Sequence, residues 1–158
     1  MTDDDNNFMR RAIELARRGM ETNDGGPFGC VIVKSGKIVG EGNNQVTSTN
    51  DPTAHAEVVA IRNACANLGT FQLDGCTVYT SCEPCPMCLG AIYWARPERI
   101  FIAGTRGDAA DAGFDDAYIY SELEKPNDRR QMPMKSILRE DAVRLFADWK
   151  AKADRTDY

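Results

Sequence analysis

A chain of 158 residues with a formal net charge of −5 is the right size for one domain with its own core. With 42% hydrophobic and 27% charged residues it has an ordinary globular composition, and no run approaches the roughly 18 apolar residues of a membrane span. The acidic balance speaks against a nucleic-acid surface, which needs clustered Lys and Arg for phosphate contacts.

The opening stretch, MTDDDNNFMRRAIELARRGM, is acidic and then amphipathic, a pattern of neither secretory nor mitochondrial signals. Without an export signal, the six cysteines read as reduced cytosolic thiols. Residues 7–19 are predicted helical, with Phe8, Ala12, Leu15 and Ala16 on one face and Gly19 near the end. Arg10, Arg11, Arg17 and Arg18 then form a solvated face. After the Gly25-Gly26-Pro27 break, FGCVIV (28–33) and KIVGEG (37–42) are predicted to pair as a hairpin through Lys34-Ser35-Gly36. Asp51-Pro52-Thr53 is expected to open a helix running to about Leu68, with Val58, Ile61, Cys65 and Leu68 facing inward and Gly69 as its stop.

CTVYTS (76–81), PMCLGAIYWA (86–95) and RIFIAG (99–104) read as strand, helix and strand, a βαβ unit with a parallel pair. Residues 107–130 read as an acidic loop with a short helix near Ala117–Leu123. A fifth strand is expected through Met132–Leu138 and a last helix over 140–152. The sum is an α/β domain spanning 1–158, three layers in α-β-α order around a roughly five-stranded mixed sheet.

Two fragments carry chemistry, PTAHAEVVAI (52–61) and EPCPMC (83–88). Cys85 and Cys88 stand three apart where strand passes to helix, so both sulfurs can reach one ion. The partial positive charge of a helix N-terminus favours their thiolates. His55, the only histidine, lies in the first turns of the other helix. One imidazole and two thiolates make three protein ligands, and a tetrahedral zinc with three ligands keeps a corner for water, the catalytic arrangement. Glu57 is the candidate proton carrier, because hydrolysis needs a base for the water and then an acid for the departing nitrogen. Cys82 is the spare thiol, expected either beside the ligands without binding or buried, and Cys30, Cys65 and Cys76 fall in core patterns. CEPC between strand and helix also fits a thiol–disulfide redox motif, a rival that leaves HAE and Cys88 without a role.

HAE followed by PCPMC resembles the cytidine deaminase superfamily. GGPFG (25–29), NDPTAHAEV (50–58), TSCEPCPMCLGAIYWARP (80–97), DAADAGFDDAYIY (108–120) and the terminal Tyr158 are similar to the compact bacterial guanine deaminases within it. The resemblance implies a cytidine deaminase-like fold with one zinc per chain. It also implies hydrolysis of guanine to xanthine and ammonia, with water attacking C2 and Glu57 moving the protons. It further implies that Asn44 and Asp116 contact the purine, that Asp116 assists the departing amine, and that Phe28, Trp94 and Tyr158 form an aromatic wall. The chemistry agrees in part. Guanine's N1–H and amino group are donors that an Asp carboxylate accepts, and its ring nitrogens and O6 accept from an Asn amide.

A terminal tyrosine can act only if the tail folds over a pocket. The likeness implies that a segment from about residue 140 to 158 is exchanged between the subunits of a homodimer. The same zinc chemistry admits guanosine, another aminated purine or a triazine, cytosine or cytidine, and tRNA adenosine. The acidic charge and the lack of a basic C-terminal helix speak against the last. A small purine base, met in the cytoplasm and away from any membrane, is the expected partner.

Overall fold

Thr2 opens the first helix. In a computed structural model that describes residues 2–158, the Thr2 hydroxyl accepts from the Asp5 amide at 3.2 Å, and the Asp5 carboxylate accepts from the Thr2 amide at 2.6 Å. This reciprocal cap satisfies two free N–H groups and starts α1 (Asp3–Glu21) ahead of the expected residue 7. Next come β1 (Gly29–Lys34) and β2 (Lys37–Asn43), joined by Ser35 and Gly36 with φ of 51° and 74°. Two successive left-handed residues make the tight turn that matches the twist of a hairpin.

A short α2 (Val46–Thr49), which the sequence reading does not anticipate, precedes α3 (Ala56–Leu68). The second long helix thus begins later than expected. Asp51 Oδ1 accepts from both the amide and the hydroxyl of Thr53, at 2.8 and 2.7 Å, and this local turn competes with helix. β3 (Cys76–Cys82), α4 (Pro86–Ala95) and β4 (Arg99–Gly104) follow, then α5 (Arg106–Asp111), inside a stretch expected to be loop.

The sheet runs in the order β2-β1-β3-β4. β1 is antiparallel to both of its neighbours, and β3 and β4 are parallel across the α4 crossover. It has four strands among the described residues. The expected fifth, Met132–Leu138, is irregular chain with Met132, Ile137 and Leu138 each exposed. Pro133 there has no N–H to give a ladder, and no apolar face buries it.

Alternation along the strands builds two cores. Val31, Val33 and Tyr79 face Ala12 and Leu15 of α1, while Cys30, Ile32 and Val78 face Ala56, Ala60 and Ala64 of α3. The inward stripe of α3 is therefore alanine. Ile61, Cys65 and Leu68 flank it half-buried, a correction to the expected face. The reason lies on β2: a Cβ on Gly40 would stand 2.5 Å from the Ala60 carbonyl, and one on Gly42 would stand 2.4 Å from that of Ala56. Helix and strand approach too closely for anything larger on either side. At the sheet edge, Asn63 and Asn67 donate to the outward carbonyls of Glu41 and Val39, at 2.8 and 2.9 Å.

The described chain divides into two compact units, the first ending at Asp116 and the second spanning Ala117–Tyr158. The second holds α6 (Ala117–Leu123) and α7 (Arg139–Ala151). Arg130 donates to the carbonyls of Glu122, Lys125 and Leu123, at 3.0, 3.2 and 3.3 Å, which satisfies the open end of α6. No described helix is long and apolar enough to cross a membrane.

Candidate metal centre

Two helix N-termini supply the ligands. His55 is the N-cap of α3, with φ −68° and ψ 155°, and Cys85 is the N-cap of α4, with φ −65° and ψ 168°. Each is extended backbone, so each side chain crosses its helix end rather than lying along a helical face. This refines the expected place of His55 within the first turns. Pro86 at the first helical position suits the fixed φ of proline and gives up no useful N–H. Cys88 is then the third helical residue, the position an N-cap side chain faces. The C-x-x-C spacing brings the two sulfurs together for that reason.

His55 Nδ1 lies 3.6 Å from Cys85 Sγ and 3.5 Å from Cys88 Sγ, and the three ligand atoms all fall within 4.8 Å of one another. Zinc bonds of about 2.3 Å to sulfur and about 2.0 Å to nitrogen imply a tetrahedral N···S edge of about 3.5 Å. The donor set fits zinc in both chemistry and spacing. Among the described residues, no other group of His, Cys, Asp and Glu meets the same test.

The two thiols hold their protons unequally. The neighbouring Cys88 thiol, reinforced by His55, holds Cys85 down to about 4, while the contact with Cys85, burial and the Glu57 charge push Cys88 up. Its own contact with Cys85 raises His55.

Glu57, in the first turn of α3, is 6% exposed and lies outside the ligand group. Its Oε2 accepts from Cys88 Sγ at 3.3 Å, and its Oε1 accepts from the Thr80 hydroxyl, also at 3.3 Å. Burial, the largest cause, raises its carboxyl above the ordinary value. Thr80 is buried on β3, opposite Cys30 of β1. The sequence reading misses it, because nothing local marks a strand threonine as the partner of a distant carboxylate.

Asn44 is buried, and its Oδ1 accepts from the amides of Gly26 and Val46, at 3.3 and 3.2 Å. Those two donors settle the amide orientation and direct its NH2 away from them. A Cβ on Gly25 would stand 2.1 Å from that Oδ1, so the double glycine is what lets the loop close over Asn44. Phe28 packs edge-on against Phe114, with ring centroids 4.9 Å apart and planes at 85°. Phe114 lies in the DAADAGFDDAYIY segment, where the sequence by itself assigns it no contact. Its signal is an aromatic two positions before Asp116, directly after Gly113, whose φ is 93°.

Burial first, and then the Cys85 charge, raise the Asp116 carboxyl, with Arg106 opposing. Trp94 and Tyr158 are placed differently from Phe28, being 65% and 69% exposed, on α4 and at the end of the second unit. Cys82 is not among the ligands, and its thiol donates to the Thr105 carbonyl at 3.5 Å.

Residues 2–104 match the family described as the cytidine and deoxycytidylate deaminase zinc-binding region. Guanine deaminase of Bacillus subtilis (strain 168) is 54% identical over 151 residues, covering 96% of this chain and 97% of its own. A tRNA-specific adenosine deaminase of Aquifex aeolicus (strain VF5) is 32% identical over 145 residues, covering 92% of this chain and 93% of its own. The X-ray structure of guanine deaminase from Bacillus subtilis matches with a TM-score of 0.95 at 52% identity, over 100% of this chain and 99% of that one.

Proposed function

The chain belongs to the cytidine and deoxycytidylate deaminase family, and we propose that within it this protein hydrolyses guanine to xanthine and ammonia. The observation that carries the reading is the full-length likeness to a guanine deaminase, joined to a His55, Cys85 and Cys88 cluster that fits zinc. His55 Nδ1 and the sulfurs of Cys85 and Cys88 would hold zinc, which when bound would supply the Lewis acidity that makes water a nucleophile near neutral pH.

Glu57 takes a proton from the attacking water as the C2–O bond forms, and returns it to the amine as the C2–N bond breaks. Thr80 holds the other carboxylate oxygen, so the shuttling oxygen is the one beside Cys88. Asn44 donates from its NH2 to an acceptor on the base. Asp116 accepts from N1–H and the amino group, which guanine offers and adenine does not offer in that arrangement. Phe28 and Phe114 supply an apolar wall for the ring, with Trp94 and Tyr158 completing it.

The second unit supports a homodimer in which the C-terminal segment, from about residue 140, is exchanged within a single deaminase domain of 1–158. None of its described residues is buried. Val143, Phe146 and Trp149 recur at helical spacing along α7, and all are exposed. In the first unit, Ile100 and Ile102 on the edge strand β4 are likewise exposed. Free cysteines throughout suit a reducing cytoplasm.

The zinc-loaded protein assayed for ammonia release on guanine, guanosine, adenine, cytosine, cytidine and a tRNA anticodon stem-loop tests the reading. Turnover confined to guanine and close analogues is expected. Preference for the stem-loop would instead align the chain with the tRNA-specific relative.

A further inference from the structure

Beyond the last β3–β4 pair, Cys82 opposite Gly104, the two parallel strands lead to different parts of the site. β3 runs into the ligand loop that holds Cys85. β4 runs through Thr105 into α5, and then past Gly113 to Phe114 and Asp116. Loops leaving the carboxyl ends of parallel strands frame a cleft, and its width depends on what ties their roots together.

Three bonds do so here. The Glu83 amide donates to the Gly104 carbonyl at 2.9 Å. The Cys82 thiol donates to the Thr105 carbonyl at 3.5 Å. The Arg106 amide donates to Glu83 Oε2 at 3.0 Å. The first is main chain and continues the ladder, and the second uses a weak thiol donor. The third is charge-assisted, and so the stronger of the two made by a side chain. It fastens the first residue of α5, whose N–H has no partner inside the helix. Glu83 itself lies outside the ligand group.

We propose that Glu83 is a positioning residue for substrate recognition: its carboxylate pins the 104–106 turn to the ligand loop, and so fixes where the segment ending at Asp116 stands relative to Cys85. The proposal rests on the reading of Asp116 as a purine contact. Because the Glu83–Arg106 bond is exposed to solvent, losing it frees the turn without leaving a buried group unsatisfied. The fold and the ligands should therefore survive the change.

The test uses the full-length, zinc-loaded protein with Glu83→Ala and Glu83→Gln, the second keeping an acceptor oxygen. Zinc content, amide hydrogen exchange over residues 104–116, and KM and kcat for guanine are measured. Glu83→Ala is expected to keep one zinc per chain, to exchange about tenfold faster over 104–116, and to raise KM about tenfold with a smaller change in kcat. Glu83→Gln, which keeps an acceptor but loses the charge, should fall between the parent and Glu83→Ala on each measure. Unchanged exchange in Glu83→Ala, zinc lost from it, or a Gln variant as impaired as the Ala variant would each overturn the proposal. Exchange needs no substrate. A parent protein inert toward guanine would thus sink the guanine reading alone, and the exchange data would still decide whether Glu83 anchors the turn.

Discussion

Glu57 is a carboxylate that the fold keeps from water, with one oxygen on a hydroxyl and the other on a ligand sulfur. Burial favours its protonated form, while a cation held by His55, Cys85 and Cys88 would favour the ionised form. A group balanced between those pulls is suited to accept a proton and return it within one turnover. Glu57→Gln keeps the size and the Thr80 contact but cannot carry a proton. It is expected to hold zinc at one per chain and to lose turnover by about 10²–10⁴-fold or more. Metal analysis beside steady-state rates checks this, and a variant near parental activity would remove Glu57 from the proton path. Asn44 shows another residue-scale device, a side chain whose orientation is set by two backbone donors rather than by its substrate.

At the scale of elements, the close seating of α3 on β2 places His55 and Glu57. The helix carries Ala56, Ala60 and Ala64 where it meets the strand, and the strand answers with Gly40 and Gly42. Gly40→Ala would force its Cβ against the Ala60 carbonyl, and backbone yields less readily than a flexible side chain. A loss of about 1–3 kcal/mol is expected, read as a lower urea midpoint, together with reduced zinc affinity as His55 moves with its helix. An unchanged midpoint would mean that α3 can retreat at no cost. Asn63 and Asn67 add a second function to the same helix: they occupy outward carbonyls of an edge strand that would otherwise invite pairing with another chain.

For the whole molecule, the open question of cover concerns the second unit. Leu145 and Phe146 of α7 are each 68% exposed, and a helix that presents apolar side chains to water is normally covered by something. Deleting residues 139–158 is therefore expected to convert a dimer to a monomer in sedimentation and to lower guanine turnover sharply, with zinc retained. Full turnover by the truncated monomer would contradict both the exchange and the role of Tyr158.

The helix α4, the strand β4 and the helix α6 lie where the sequence alone puts them, because their signals are local: Pro86 at a first turn, a short apolar run, and a flanking Gly or Pro. The ligand trio is legible for the same reason, since H-x-E and C-x-x-C are spacings within single helix starts. Apolar alternation misleads at Met132–Leu138, because periodicity reports a face without saying whether anything covers it. Thr80 beside Glu57, Phe114 against Phe28, the Nδ1 face of His55 and the Glu83 bond to Arg106 are decided only in three dimensions. Each joins residues far apart in the chain, and such pairs exist only once sheet register and helix seating have brought their carriers together.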